Sequence, residues 1–372
     1  MNFSIEKEVF LKGLARIQGI VEKRNTIPIL SNVLIDAKDD QIFLTATDLE
    51  VGMRASFPAK IKQAGKVTVS AKKLYEIIKE LPESEVSFIA KENCWIEIRC
   101  GKALFNIVGL SPEEFPYFPY PEKENFIDLD SHLLKNLIDK TSFSISTDET
   151  KYNLNGIYFQ FVEESETNYL RLVATDGHRL ALIQRPMDNP GIDILEKGVI
   201  FPRKGIFELK KMADEGDSPL QIGFMDNNAV IKKDQTVMVM RLVDGDFPDY
   251  KRVIPPSLET RAQIKSSLFL QALRRISILS SEKSRGIKLL FKNDNLEISS
   301  SNPELGDARE ELEIEYSGPE VAIGFNARYL MDILQAQDEE IISIQVKDNL
   351  SPGLLTPKED PDYLAVVMPM RL

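Results

Sequence analysis

Thr45-Ala46-Thr47-Asp48 returns as Val173-Ala174-Thr175-Asp176 after 128 residues, and a weaker copy, Ser299-Ser300-Ser301-Asn302, follows after another 126. The first two copies end the runs Ile42–Ala46 and Leu170–Ala174, whose β-branched and aliphatic residues predict strands. A repeat with a period of this length indicates successive copies of one structural unit. The chain is therefore predicted to contain three similar domains, 1–124, 125–254 and 255–372, each of an ordinary domain size.

Two helices are predicted in each domain, because apolar residues recur there at three- and four-residue spacing among the strand-like runs. The predicted helices are Glu6–Val21, Ala71–Leu81, Ser131–Ser142, Lys204–Ala213, Ser267–Leu279 and Ala327–Gln337. The linker Phe115-Pro116 recurs as Phe247-Pro248 after the second unit. The fold class is therefore predicted to be α+β, with two helices packed on antiparallel sheet in each domain.

Composition predicts a folded cytoplasmic protein. The chain has 372 residues, of which 43% are hydrophobic, so each third can bury a core. The N-terminal residues carry acids where a signal peptide has a basic start, and no 18-residue apolar stretch could span a membrane. Cys94 and Cys100 lie six residues apart in a predicted hairpin around Glu92-Asn93, where free thiols are favoured and a disulfide stays open as the alternative.

The charge distribution matters more than the net charge. A net charge of −12 argues against a simple basic DNA-binding module. Nevertheless, Lys and Arg are concentrated on the six predicted helices, whereas acids crowd loops and strand ends. A solvated face explains any single one of these residues, but the shared bias indicates a positive inner face. The basic helix residues are Lys12, Arg16, Lys72, Lys73, Lys79, Lys135, Lys140, Lys204, Lys210, Lys211, Arg274, Arg275 and Arg328.

The sequence contains no recognisable catalytic motif. It has no phosphate-binding loop, no nucleophile elbow and no cysteine cluster for zinc, so neither a cofactor nor a metal is expected. Asp176 and His178 could act as the acid and base of a hydrolase, but the first repeat has Glu50 at the place of His178. A hydrolase is the least favoured function, and a static repeat scaffold is the other alternative. Only the hydrolase would lose turnover on His178→Ala.

Several separate motifs carry a resemblance that covers the whole chain. Ala174–Ala181, the linker Leu242–Tyr250, the terminal Val366–Leu372, Arg24–Asn32 and Val199–Gly205 closely resemble the bacterial DNA polymerase III beta subunit, the sliding clamp. The resemblance implies a head-to-tail homodimeric ring that encircles double-stranded DNA without reading its sequence. It also implies three classes of protein partner: the replicative polymerase catalytic subunit, the clamp loader and other proteins with a clamp-binding motif. No catalytic residue is implied.

Site residues follow from the same resemblance, supplemented by the basic helices. The implied partner-peptide pocket consists of Leu154, Thr175, Gly177, His178, Arg179, Leu180, Pro248, Arg252, Val253, Leu350, Val366, Met368, Pro369 and Met370. The expected DNA contacts are Arg24, Lys72, Lys151, Tyr152, Lys204 and Arg275. The implied dimer interface joins Lys73, Lys102 and Phe105 of the first domain to Ile278, Leu279, Glu304 and Glu310 of the third. Lys151 and Tyr152 match the family pattern, whereas Asp148, Asn153 and the region 350–362 depart from it.

Overall fold

The computed structural model describes residues 1–21, 27–120, 126–188, 193–256, 261–281 and 284–371. These ranges contain helices α1 (Lys7–Ile17), α2 (Ala71–Glu80), α3 (Ser131–Asp139), α4 (Asp193–Lys197), α5 (Arg203–Asp214), α6 (Ser266–Ile276) and α7 (Ala327–Gln335). Six of them confirm the predicted helices to within a few residues at each end. The additional helix, α4, has only five residues and is too short to show helical periodicity.

The strands of the first third are β1 (Asn2–Glu6), β2 (Asn32–Lys38), β3 (Gln41–Thr47), β4 (Val51–Pro58), β5 (Lys60–Gln63), β6 (Gly65–Ser70), β7 (Glu85–Ala90), β8 (Trp95–Cys100) and β9 (Ala103–Val108). Those of the central third are β10 (Ile127–Leu129), β11 (Gly156–Glu164), β12 (Thr167–Thr175), β13 (Arg179–Pro186), β14 (Val199–Pro202), β15 (Leu220–Met225), β16 (Asn228–Lys233) and β17 (Thr236–Arg241). Those of the last third are β18 (Ala262–Lys265), β19 (Gly286–Lys292), β20 (Asn295–Asn302), β21 (Gly306–Glu313), β22 (Val321–Asn326), β23 (Ile341–Gln345), β24 (Gly353–Pro357) and β25 (Tyr363–Val367).

The chain divides into two compact units, residues 1–133 with 207–242, and residues 134–206 with 243–372. The first unit contains a sheet of order β5-β1-β7-β8-β9 and an eight-stranded sheet of order β10-β15-β16-β17-β4-β3-β2-β6. The second unit contains an eight-stranded sheet of order β14-β11-β12-β13-β25-β24-β23-β18 and a sheet of order β21-β20-β19-β22. The strand pairs within them are antiparallel, which confirms the predicted α+β class.

Each eight-stranded sheet joins strands from two of the predicted domains. In the first unit β4 pairs with β17, placing Val51 opposite Met240. In the second unit β13 pairs with β25, placing Arg179 opposite Val367. We call these pairings, together with the β3–β4 and β12–β13 turns beside them, the first joint and the second joint. The short repeat that marks the sequence therefore lies at the turn of each joint.

The helices bury their apolar faces and expose most of their basic side chains. In α1, Phe10, Leu14 and Ile17 are fully buried, as are Leu330 and Ile333 in α7. Burying one such side chain contributes about 1.5–3 kcal/mol, so the helices are held by packing against the sheets and against one another. Lys12, Lys72, Lys73, Lys79, Arg274, Arg275 and Arg328 are exposed.

Two of the basic helix residues are largely buried and do not contribute to the expected positive face. Lys140 is only 5% exposed, and its ammonium lies 3.2 Å from the Asp360 carboxylate. Arg16 donates to the Thr236 hydroxyl and forms an ion pair with Glu215. A buried charge requires a partner of this kind, because desolvation is otherwise too costly. The sequence pattern could not distinguish these paired cations from the exposed ones.

The two cysteines are unpaired, which agrees with the favoured thiol interpretation. Cys100 is buried at the end of β8, and Cys94 lies in the turn of the predicted hairpin formed by β7 and β8. None of the described helices is long and apolar enough to cross a membrane.

Candidate functional site

The turn of the second joint is built by its own side chains. The Asp176 carboxylate accepts hydrogen bonds from the backbone N–H groups of His178 at 2.8 Å and Arg179 at 3.0 Å. The Thr175 hydroxyl accepts from Gly177 N–H at 3.1 Å and donates to the Arg179 carbonyl at 2.6 Å. Gly177 has φ of +88°, a conformation that favours glycine. Asp and Thr at these positions therefore determine the shape of the turn.

The Arg179 side chain extends from this turn as a buried cation, and each of its three guanidinium nitrogens donates a hydrogen bond. Its Nε donates to Asp176 Oδ2 at 3.1 Å, its Nη1 donates to Asp332 Oδ2 at 2.6 Å, and its Nη2 donates to the Phe143 carbonyl. The guanidinium also lies 4.5 Å from the ring centre of Tyr329. Only 9% of the residue is exposed, so these partners replace the water that the charge has lost.

The C-terminal strand forms the next wall. Leu180 pairs with Val366 across the β13–β25 ladder, and both side chains are almost fully buried. The Met368 N–H donates to the His178 carbonyl at 2.9 Å, which extends the ladder to the turn. The Met368 side chain is 37% exposed at the surface. Because its unbranched thioether side chain has three rotatable bonds, Met368 can adjust the shape of this wall.

The segment after the Phe247-Pro248 linker closes the site. Tyr250–Val253 forms a 3₁₀ turn, and Tyr250 is buried against Val173, Leu180 and Val366. The Tyr250 hydroxyl accepts a hydrogen bond of 3.2 Å from Arg171. Burial opposes the charge of Arg171, but its hydrogen bonds with Tyr250 and with the Glu164 carboxylate outweigh burial and raise its pKa. The hydrogen bond between Arg171 and Tyr250 thereby fixes the Tyr250–Val253 turn to strand β12.

These elements enclose an apolar cleft of about 260 Å³. Nine of the residues that the family resemblance implied line it, and two further residues, Asp249 and Tyr250, line it with them. The implied residues in the lining are Leu154, Thr175, Gly177, Arg179, Leu180, Pro248, Val253, Val366 and Met368. An adjoining cleft of about 320 Å³ shares Val253 and Met368 and includes Arg252. Val253 and Met368 therefore stand between two connected depressions.

Several implied pocket residues lie elsewhere. His178 stacks on the Tyr329 ring, with centroids 6.5 Å apart, and does not line the cleft. Leu350 is 69% exposed in a turn capped by Asp348. After Pro369, the Met370 N–H donates to the Gly324 carbonyl of β22 at 2.8 Å. The backbone of Met370 is therefore held at β22, and Met370 does not line the cleft.

The acid–base pair of the hydrolase alternative is not assembled. Both carboxylate oxygens of Asp176 are engaged, Oδ1 by backbone N–H groups of the turn and Oδ2 by Arg179. The His178 ring faces Tyr329 instead. Within the described ranges, no group of three His, Cys, Asp or Glu side chains is placed to hold a metal ion.

The expected DNA contacts fall into different surroundings. Lys72 is exposed on α2, 3.8 Å from Glu76, and Lys204 is half-buried on α5. Arg275 forms a two-point ion pair with Glu310. The Lys151 ammonium donates to the Asp176 carbonyl at 3.2 Å, so Lys151 lies beside the cleft, with Tyr152 60% exposed next to it. Arg24 lies outside the described residues.

The implied interface residues lie near two sheet edges. β9 ends the five-stranded sheet, and Leu104, Phe105 and Val108 on it are between 37% and 59% exposed. Lys102 is exposed immediately before it, and Lys73 is exposed on α2, 2.9 Å from Glu76. β21 ends the four-stranded sheet; Glu310 lies on this strand, and exposed Glu304 lies just before it. Ile278, after α6, is 72% exposed, and Leu279 is half-buried.

Comparison with known proteins finds relatives that match this chain over its whole length. Models of the N-terminal, central and C-terminal domains of the DNA polymerase III beta subunit match residues 1–119, 128–249 and 251–371. The beta sliding clamps of Caulobacter vibrioides and Escherichia coli K12 are each 37% identical to this chain, and each alignment covers 100% of this chain and 100% of the relative. A solved sliding clamp from Bartonella birtlesii, bound to griselimycin, is also 37% identical and superposes over 100% of both chains with a TM-score of 0.95. The solved DNA polymerase III subunit beta from Pseudomonas aeruginosa is 35% identical and superposes over 100% of both chains with a TM-score of 0.92.

The fold and these matches define a DNA sliding clamp, a processivity factor that works with a DNA polymerase and has no catalytic role of its own. The chain belongs to the DNA polymerase III beta subunit family. The fold and the function expected from the sequence are thereby confirmed, and the hydrolase and scaffold alternatives are set aside.

Proposed function

We propose that two copies of this chain close head to tail around duplex DNA and that the cleft of each copy holds a short peptide of a partner protein. The observation that carries the peptide proposal is the apolar cleft at the second joint, walled by Leu180, Val253, Val366 and Met368. A concave apolar site with a few polar groups at its rim is the usual form of a ligand site. The partners are the replicative polymerase catalytic subunit, the clamp loader and other proteins that carry a clamp-binding motif.

The size of the cleft favours a short apolar anchor. A peptide of the type Gln-Leu-x-Leu-Phe would bury a leucine and a phenylalanine there, worth roughly 3 to 6 kcal/mol before ordering costs. Affinity of this order is weak and exchangeable. Different partners can then replace one another on the same site, and the flexible Met368 accommodates their different sequences.

Titration of a fluorescent Gln-Leu-x-Leu-Phe peptide tests this assignment. Met368→Ala removes a side chain from both depressions while the backbone hydrogen bond to His178 stays in place, so we expect affinity to fall about tenfold. Tyr117→Ala, at a residue that is 86% exposed, is the control and should bind like the original chain. Equal affinity of the Met368 variant and the control would place the peptide elsewhere.

Dimerisation is proposed from the two uncovered edges. An edge strand with exposed apolar residues invites pairing, and β9 of one copy facing β21 of the other would cover both edges. The charges are complementary, because Lys102 lies immediately before β9, whereas Glu304 lies just before β21 and Glu310 on it; Lys73 is the further cation that the resemblance assigns to this interface. Phe105, Ile278 and Leu279 would form the apolar centre of this interface.

Light scattering after size-exclusion chromatography tests the interface. Replacing Ile278 and Leu279 with Asp should convert a dimer into a folded monomer, because two carboxylates would be buried without partners. Leu49→Asp is the control, since Leu49 is also apolar and 60% exposed but lies on the turn of the first joint. A dimeric mass for the double variant would place the interface elsewhere.

DNA binding is proposed to come from cations of the helices, which would hold phosphates without reading bases. Replacing Lys72, Lys204 and Arg275 with Gln should lower the slope of log K against log salt by about 0.9 for each phosphate that the variant no longer binds. The same replacement at the exposed Lys62, Lys251 and Lys358 is the control for net charge. Equal slopes for the two triple variants would mean that the helices do not face the DNA.

A closed ring makes a separate prediction about topology. Clamp loaded onto nicked circular DNA should stay bound, and it should dissociate when that DNA is cut to a linear form. Retention on linear DNA would contradict encirclement, whatever the residues that contact the phosphates.

A further inference from the structure

Cations lie over aromatic rings on one face of the eight-stranded sheet of the first unit. Arg54 of β4 is held between two rings, because its guanidinium carbon lies 4.5 Å from the ring centre of Phe43 and 5.5 Å from that of Tyr120. The Lys38 ammonium lies 5.3 Å from the same Phe43 ring. These two cations and two rings therefore form one continuous cluster.

A third cation belongs to the same face of the sheet. Lys232 of β16 pairs with Val237 of β17, which in turn pairs with Arg54 of β4. The two cations therefore stand in one row, and strands two places apart are separated by about 10 Å. The Lys232 ammonium lies 3.9 Å from the ring centre of Phe126. We call the whole group the basic aromatic patch, which consists of Lys38, Phe43, Arg54, Tyr120, Phe126 and Lys232.

The three cations of the patch are not neutralised by acids. Within the part of the chain that the structure describes, none of them forms an ion pair with a carboxylate. The carboxylates that the strands carry on this face are engaged elsewhere. Asp36 pairs with Lys66 at 3.2 Å, and Asp128 accepts a 2.9 Å hydrogen bond from Gln221. An aromatic ring attracts a cation but offers it no oxygen, so the N–H groups of the patch remain available to an anionic ligand.

The patch lies on the side of the sheet that faces away from helix α1. A Cβ added to Gly13 of α1 would lie 2.9 Å from Leu44 and 2.7 Å from Phe57, so the helix packs on the side that these residues occupy. Successive residues of a strand point to opposite sides, which puts Phe43 and Arg54 on the other side. Helix α2 packs against α1. The patch is therefore separate from the cations of these helices that are proposed to hold duplex DNA.

We propose that the basic aromatic patch binds single-stranded nucleic acid, with phosphates on its three cations and a base stacked on Tyr120. This tyrosine is 48% exposed, so its ring is accessible to a base. Phosphate contacts to Lys and Arg, combined with base stacking on aromatic rings, are how proteins hold single strands without reading their sequence. A duplex keeps its base faces inside the stack, and an acidic protein segment has no bases. Neither of them would use the ring, and neither encirclement nor the peptide cleft uses the patch.

Fluorescence anisotropy of a labelled oligothymidylate at low salt tests the stacking. Tyr120→Ala should weaken binding about tenfold, which is in the range of one stacked base, because the ring is removed. Tyr120→Phe keeps the ring and is the control, so it should bind within about twofold of the original chain. Equal affinities of these two variants would overturn the proposal, as would the absence of binding by the original chain.

The salt dependence of the same titration tests the phosphate contacts. Arg54→Gln should lower the slope of log K against log salt by about 0.7, because one phosphate contact is removed. Lys62→Gln, at an exposed cation of β5 outside the patch, should leave the slope unchanged. If thermal unfolding shows that Arg54→Gln does not fold, Lys38→Gln at the exposed end of β2 replaces it, with the same expected slope. A slope equal to that of Lys62→Gln would contradict the proposal.

Competition separates a nucleic acid from an acidic protein segment. An unlabelled oligoglutamate of equal charge should displace the oligothymidylate at least about tenfold less effectively, because it has no base to stack on Tyr120. Equal displacement by the two oligomers would mean that the patch takes acidic segments of proteins, and the assignment to nucleic acid would be rejected.

Discussion

The two joints have the same backbone and different surfaces. In the first, Asp48 accepts from the N–H groups of Glu50 and Val51, as Asp176 does from His178 and Arg179 in the second. The Arg241 N–H donates to the Glu50 carbonyl at 2.8 Å, and the Met368 N–H donates to the His178 carbonyl at 2.9 Å. The repeat therefore preserves a turn and a strand junction.

The side chains at equivalent positions decide which joint carries a cleft. Leu180 of the second joint corresponds to Gly52 of the first, and Phe118 lies so close over Gly52 that a Cβ there would be 3.0 Å from its ring. Phe118 itself packs against Val230, Val237 and Val239. In the second joint, the corresponding aromatic, Tyr250, is fixed in the cluster that contains Leu180. On one shared scaffold, a few side chains therefore leave an apolar cleft at the second joint, whereas the Phe118 ring covers Gly52 of the first.

The largest expected effect comes from removing the two equivalent aspartates. Asp176→Ala should weaken peptide binding by about thirtyfold or more, because it removes the support of the turn and one carboxylate partner of Arg179. Asp48→Ala should leave peptide binding unchanged. Each should lower the free energy of unfolding by about 1–2 kcal/mol, as removal of a comparable side-chain cap does. Peptide titration and urea unfolding measure both; equal binding losses would abolish the distinction between the joints.

A smaller effect is expected from filling the first joint further. Gly52→Ala should cost about 1–2 kcal/mol of unfolding free energy, because its Cβ meets the Phe118 ring. Combining it with Phe118→Leu should cost less than the sum of the two single variants, since the smaller side chain gives way. Urea unfolding of the four proteins measures this coupling. Strict additivity would show that the ring does not press on Gly52.

The smallest effect concerns the left-handed residue of each turn. Leu49 has φ of +79°, where Gly177 has +88°. Leu49→Gly should relieve this strain and change the unfolding free energy by only about 0.5 kcal/mol, since the added chain entropy opposes the gain. Gly177→Ala should destabilise by about 1 kcal/mol. A Gly177→Ala variant as stable as the original chain in urea unfolding would indicate that the two turns differ in backbone after all.

The sequence predicted local structure better than it predicted contacts. Helical periodicity was strong enough to locate six helices, and the repeated turn was visible because each copy has an Asp or Asn at its first position, whose side chain accepts a backbone hydrogen bond. The pairing of β4 with β17 was not predictable, because many strands have similar alternation and nothing local selects the partner.

For the cleft too, the sequence indicated some of the lining residues but not the contacts between distant elements. The family motifs indicated Leu180, Val253 and Met368, which line it, but not Tyr250, although this residue stood within the quoted linker. Its position two residues after the implied Pro248 was an available signal. The contacts of Tyr329 and Asp332 with Arg179 left no such signal in the sequence, because they depend on how α7 packs against a turn about 150 residues earlier in the chain. The position of Met370 depended similarly on the Gly324 carbonyl in β22.

A crystal structure of the chain with a saturating Gln-Leu-x-Leu-Phe peptide would test most directly the claim that only the second joint binds partners. We expect one peptide per chain, with its leucine and phenylalanine between Leu180, Val253 and Met368, and with Phe118 still lying over Gly52 in the first joint. Peptide density at the first joint, or a peptide bound away from both joints, would contradict it.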